Sequence, residues 1–117
     1  MEALIIDDEI DICYLLSGIL KNKDIKPYYV NTLADAGSVL KTQHPELIFL
    51  DNHLPDGIGV DFITQIKKAS PQSKIVLITA YDTATDRKNA EIQGVDFFIA
   101  KPFTRDTIYQ TVNLFIR

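Results

Sequence analysis

Three carboxylates in two places are the residues of this chain best suited to chemistry. Asp7 and Asp8 follow the apolar run Ala3-Leu4-Ile5-Ile6, and Asp51 follows Leu47-Ile48-Phe49-Leu50. If the two runs are adjacent parallel strands, all three carboxylates leave the sheet at one end and repel one another. At about 4 Å and an effective dielectric near 20, one such pair costs roughly 4 kcal/mol. A hard divalent cation relieves that repulsion, and an oxygen-rich site suits Mg²⁺. Thr79 closes the run Ile75-Val76-Leu77-Ile78, and Lys101 follows Phe97-Phe98-Ile99-Ala100. Ligands of open parallel sheets bind beyond the carboxyl ends of the strands. Four strands thus bring carboxylates, a hydroxyl and an ammonium to one rim. Together they can hold Mg²⁺, present a carboxylate nucleophile to a phosphoryl group, and stabilise the phosphoryl oxygens in transfer. Singly each residue is ordinary: an aspartate caps a helix, a threonine fills a strand, a lysine faces water. Matched placement on four strands favours the joint reading.

The elements that must position these residues are legible as alternating apolar and amphipathic blocks. The strand candidates are Ala3–Ile6, Tyr28–Val30, Leu47–Leu50, Ile75–Thr79 and Phe97–Ala100. The first, third and fourth are short continuous apolar runs, the pattern of strands buried on both faces. Pro27 opens the second and lacks a ladder donor, which marks an edge. Ile12, Leu16, Ile19 and Leu20 share a face of a first helix. Leu33, Ala36 and Leu40 share one of a second, capped by Asn31 or Thr32. Phe62, Ile63 and Ile66 mark a third helix, and Ile108, Val112, Phe115 and Ile116 a fifth, entered through Thr104. The fourth, between Tyr81 and Gly94, has Ile92 as its sole large aliphatic residue, so packing holds it weakly. It reads equally as a mobile element or as a solvated surface helix. Strand and helix in alternation mean parallel strands and right-handed crossovers, an α/β doubly wound fold.

The length of 117 residues suits one domain, 1–117, with its own core. A net charge of −4 argues against direct binding of nucleic acid, which needs a basic patch. Cys13, the only cysteine, excludes an intramolecular disulfide and reads as a buried core thiol, in keeping with a cytoplasmic setting. No apolar run reaches the ~20 residues of a membrane span. Met1-Glu2-Ala3-Leu4 has no basic region before its apolar stretch and does not read as a signal peptide.

Across its whole length the chain resembles the receiver domain of two-component response regulators. The matching pieces are Asp7-Asp8-Glu9, Asp51 with Leu54-Pro55-Asp56-Gly57, Thr79-Ala80 and Lys101-Pro102-Phe103, in order and correctly spaced. The resemblance implies a flavodoxin-like five-stranded sheet of order 2-1-3-4-5 flanked by five helices. It implies Asp51 as phosphoacceptor, with Asp8 and Asp51 binding Mg²⁺ directly, Asp7 through water, and His53 through its backbone carbonyl. Thr79 would bond a phosphoryl oxygen, Lys101 would pair with the phosphate, and the Lys101–Pro102 bond would be cis. Phe98 holds the family's aromatic switch position and, lacking a phenol, excludes a switch built on its hydrogen bond. For Phe98 alone, core packing explains the residue equally well.

The implied donor is a histidine kinase or phosphotransfer protein. The implied output is a conformational change of the fourth helix, fifth strand and fifth helix. That change controls an output domain or effector, often in transcription regulation, or a homodimer through the same face. His53 and Tyr81 stand where the family tunes phosphate lifetime. A bulky Tyr81 obstructing the attacking water predicts faster phosphate loss in Tyr81→Ala.

Three other classes fare worse. A phosphohydrolase with an aspartyl nucleophile commonly has a second Asp two residues on, and Asp51-Asn52-His53 lacks it. A nucleotide or flavin binder needs a Gly- or Ser/Thr-rich phosphate loop, where this chain has Asp7-Asp8-Glu9. A degenerate receiver would have lost one of the key residues, and all five are present.

Overall fold

The computed structural model describes residues 1–80 and 83–115. The main strands are β1 (Glu2–Ile6), β2 (Lys26–Val30), β3 (Leu47–Asp51), β6 (Lys74–Thr79) and β7 (Phe97–Ala100). Between β3 and β6 lies a short hairpin of β4 (His53–Leu54) and β5 (Gly57–Ile58). The helices are α1 (Ile10–Lys21), α2 (Leu33–Val39), α3 (Gly59–Ala69), α4 (Ala84–Gln93) and α5 (Arg105–Asn113). The five main strands are all parallel, in the order β2-β1-β3-β6-β7. This is the doubly wound order expected, 2-1-3-4-5 when the hairpin is set aside. β2 is an edge, as Pro27 indicated, although the strand begins at Lys26, two residues before the expected Tyr28, and pairs Pro27 with Ala3.

Residue alternation along the strands divides the core in two. Ala3, Ile5, Phe49, Val76 and Ile78 face α1 and α5, where Cys13, Leu16, Leu20, Ile108 and Val112 meet them. Leu4, Ile6, Ile48, Leu50, Ile75 and Leu77 face the other way, toward Leu33, Ala36, Ile63, Ile66 and Ala90. Both faces of β1, β3 and β6 are therefore covered, which is why their sequences are continuously apolar.

The helix ends resolve two ambiguities. Thr32 caps α2, its hydroxyl accepting from the Asp35 N–H at 3.0 Å. Asn31 instead donates to the Asp7 carbonyl at 2.8 Å. On α1, Cys13 is fully buried while Ile12 is half-buried, so the core face is rotated slightly from the reading by aliphatics alone. α4 buries only Ala90, and Ile92 is 71% exposed. No helix among the described residues is long and apolar enough to cross a membrane.

Candidate functional site

The sheet order makes β1 and β3 neighbours, and their carboxyl ends build the site. Ile6 pairs with Leu50, so Asp7 and Asp51 emerge side by side one residue later. Asp7, Asp8, Glu9 and Asp51 each offer a carboxylate oxygen, and these oxygens lie within 4.8 Å of one another. Asp7 and Asp51 are buried, whereas Asp8 and Glu9 face solvent.

Lys101 closes the cluster from the far edge. The end of β7 brings it there: the Lys101 N–H donates to the Thr79 carbonyl at 2.8 Å, and the Lys101–Pro102 peptide is cis, as expected. Its Nζ lies 3.1 Å from Asp7 Oδ2, 3.1 Å from Glu9 Oε1 and 3.6 Å from Asp51 Oδ1. Thr79, at the end of β6, is fully buried. Asp7, Asp8, Asp51, Thr79 and Lys101 thus all sit on one rim. Phe98, three residues before Lys101, is half-buried against the α2–α3–α4 side of the core.

Burial and crowding dominate the electrostatics. Burial, then the Asp7 charge, push the Asp51 carboxyl up to about 6, against the pull of Lys101 and the His53 N–H. Burial also raises Asp7, partly offset by the Glu9 N–H and by Lys101. For Lys101, burial acts downward, but the carboxylates around it outweigh burial and raise it. Burial and the nearby Asp7 charge push the Cys13 thiol up to about 11, so it is an inert thiol, as its place in the core implies. A hard dication fits this donor set: four carboxylates converge, two of them held in an environment that disfavours their ionised form.

Several participants were not singled out from sequence. Glu9 belongs both to the acidic cluster and to the Lys101 pairs. Asn52, next to the central carboxylate, fixes the start of α3: Val60 N–H donates to its Oδ1 at 3.0 Å and Gly59 N–H to its carbonyl at 2.8 Å. A Cβ on Gly59 would collide with the Asp51 carbonyl oxygen. Asp56 accepts from the Leu33 and Ala34 N–H groups, each at 2.9 Å, and so ties the loop after β3 to the start of α2. Those bonds hold its carboxyl below the usual range. The Leu54-Pro55-Asp56-Gly57 wording carried this signal without revealing its partner. The His53 side chain is exposed. Tyr81 lies outside the described residues.

Comparison with known proteins agrees. The family model described as "Response regulator receiver domain" matches residues 3–113. The regulatory protein LuxO of Vibrio cholerae serotype O1 is 33% identical over 112 residues, covering 96% of this chain and 25% of LuxO. The chain spans a quarter to a half of the length of the curated relatives it matches. A crystal structure of a two-component response regulator from Clostridium difficile superposes with a TM-score of 0.95 at 28% identity, over 100% of this chain and 96% of that one. The solution structure of the beryllofluoride-activated NtrC4 receiver domain dimer matches with a TM-score of 0.91 at 34% identity, over 97% and 93% of the two chains. With a family match over nearly its whole length, this chain belongs to the response regulator receiver domains of two-component systems.

Proposed function

We propose that residues 1–117 form a receiver domain that takes a phosphoryl group onto Asp51 from a phosphohistidine of a histidine kinase or phosphotransfer protein. The observation that carries this is the convergence of four carboxylates with the Lys101 ammonium at the ends of β1, β3 and β7. In the proposed step the P–N bond of the donor breaks and a bond forms between phosphorus and an Asp51 carboxylate oxygen. Mg²⁺ would be held by Asp8 and Asp51, with Asp7 acting through water and His53 through its carbonyl, and would neutralise charge on the phosphoryl oxygens. Asp51 serves as nucleophile in its ionised form, which a cation favours against the burial that raises it. Lys101, already within 3.6 Å of Asp51, exchanges a carboxylate partner for the phosphoryl group. Thr79 turns its hydroxyl to a phosphoryl oxygen, and Phe98 follows it inward.

The domain is then a switch rather than an enzyme acting on free substrates. The new bonds must favour one arrangement over another, because a ligand indifferent to the two shifts nothing. A shift from 1:99 to 99:1 requires roughly 5.5 kcal/mol. Charge-assisted bonds at roughly 1.5–3 kcal/mol each reach that sum with about two to four contacts. The proposed readout is the face of α4, β7 and α5, where Ile92 and Leu114 are exposed, acting on an output domain, an effector or a second copy. The relatives' names speak for transcription regulation as the output, with no contact of this domain to nucleic acid. The proposed setting is the cytoplasm, away from the membrane.

Intact mass after incubation with Mg²⁺ and a small phosphoryl donor tests the proposal. One phosphoryl added to wild type and none to Asp51→Asn is the expected result. No addition to wild type, with Mg²⁺ binding shown separately, would leave a module read through protein contacts alone.

A further inference from the structure

α4 is attached to the body of the domain unevenly. Its carboxyl end is fixed. The Gln93 side chain accepts from Thr64 of α3 at 3.3 Å, and the Val95 N–H closes back on the Ala90 carbonyl at 3.1 Å. Gly94 there adopts the left-handed conformation at φ 92°, with the Lys67 side chain of α3 lying where a Cβ would stand. The first half of the helix has no buried side chain among its described residues. Thr83 caps it within its own turn, accepting from the Asp86 N–H at 3.1 Å, which does nothing to hold it to the sheet. What reaches across is Arg87, whose guanidinium carbon lies 4.5 Å from the centroid of the Phe98 ring. Phe98 is half-buried in β7, pairs with Leu77 of β6, and stands two residues before the end of its strand. The ring is thus covered on its outer side by a cation that belongs to the helix.

A guanidinium over an aromatic face is attracted by the ring quadrupole and also shields the ring from water. It can do both only while ring and helix keep their present relation. From this geometry we propose that Arg87 is a positioning residue: it clamps Phe98 and the first turns of α4 together in the resting arrangement. The clamp thereby sets how readily the domain leaves that arrangement when Asp51 is modified. The second half of this statement rests on the phosphoacceptor reading above; the first half does not. Inward movement of Phe98 withdraws the ring from the guanidinium, so the first half of α4 is released while its carboxyl end stays pinned to α3. Loss of the clamp should therefore loosen residues 84–90 and make the activated arrangement easier to reach.

The test uses the whole chain as wild type, Arg87→Ala, Phe98→Leu and the double variant. Native-state hydrogen exchange of residues 84–90 is read first, without any phosphoryl mimic. Each single change should speed exchange there by about two- to fivefold, the size of one exposed cation–π contact, and leave β3 unaffected. The double variant should exchange more slowly than the two single effects combined would give, because the cycle isolates this pair from the other contacts of either residue. Additive effects, or no effect, would overturn the clamp. Titration with beryllofluoride and Mg²⁺ follows. Arg87→Ala should reach half-saturation at about two- to fivefold lower beryllofluoride than wild type, and Arg87→Lys should restore part of the difference. Coupled exchange with unchanged beryllofluoride affinity would overturn the role in switching and leave a structural contact. A wild type that takes up no beryllofluoride would count against the phosphoacceptor reading, while the exchange cycle would still decide the clamp.

Discussion

Asp51 is held in an environment that opposes its own charge. Its carboxyl is raised to about 6 in the fold, against an ordinary value of 3.8. Folding therefore favours the protonated form. The contribution of this group to stability is intact below about pH 4, falls as pH rises through the folded value, and is fully lost above about pH 6. At neutral pH and without divalent ions the penalty is on the order of 3 kcal/mol. Asp51→Asn removes the charge at nearly constant shape, so it should stabilise the ion-free protein at pH 7.5 by about 1–3 kcal/mol and by much less at pH 4.5. Urea denaturation at the two pH values checks this, and a variant no more stable at pH 7.5 would sink the idea. Lys101 gives the opposite expectation. Truncation to Ala leaves buried carboxylates without their cation, and breaking such a set costs several kcal/mol, about 3 as a guide. The loss should be larger at pH 7.5 than at pH 5, where the carboxylates begin to take up protons; the same denaturation series reads it. Sequence spacing was enough to bring these residues together, because strands of a parallel sheet start their loops at one rim. It did not reveal how deeply Asp7 and Asp51 are buried or that Glu9 shares Lys101, since both depend on how neighbouring side chains close over the rim.

At the scale of elements, the legible parts are those written in local periodicity. The five main strands were identified to within about two residues at their ends. Continuous apolar runs mark β1, β3 and β6, and the proline marks the edge at β2. Contacts made across the fold were hidden. The β4–β5 hairpin has two residues per strand and no run to betray it. The bond from Asp56 to the start of α2 joins residues 22 and 23 positions apart. Gly59 owes its identity to the Asp51 carbonyl, which stands where any side chain would begin. Gly59→Ala must push α3 away from β3, and such overpacking typically costs about 1–3 kcal/mol. A lower urea midpoint with unchanged slope is the expected outcome, accompanied by weaker Mg²⁺ binding because Asp51 moves with its carbonyl. Full stability in the alanine variant would show that α3 shifts freely. For α4 the paucity of apolar residues was visible in sequence, but not that Ile92 would face solvent and leave Ala90 as the buried contact.

At the scale of the whole molecule, an excess of acid is concentrated where it is of use. The chain carries 16 acidic against 12 basic residues, and four of the acids crowd a single site. A dication bound there links site and fold. At a concentration one hundred times its dissociation constant it stabilises the folded state by about 2.7 kcal/mol. Melting should therefore rise by ten degrees or so in saturating Mg²⁺, at about 4 °C for each kcal/mol in a domain of this size. The rise should shrink strongly in Asp8→Asn, whose exposed carboxylate can be removed without opening the core; an equal rise in the variant would mean that the ion acts elsewhere.

The order of strands has one more effect. β7 lies at an outer edge of the sheet, paired among the described residues with β6, and Lys101 follows it directly. The carboxylates follow inner strands, and their cation follows an edge strand. Each ion pair across the rim therefore doubles as a tether for the sheet's edge. Whatever takes over the role of Lys101 among the carboxylates also slackens that tether. By reciprocity, whatever loosens β7 leaves the carboxylates readier for a substitute cation. Ion exchange at one end of the sheet and fraying along its side are two views of a single equilibrium.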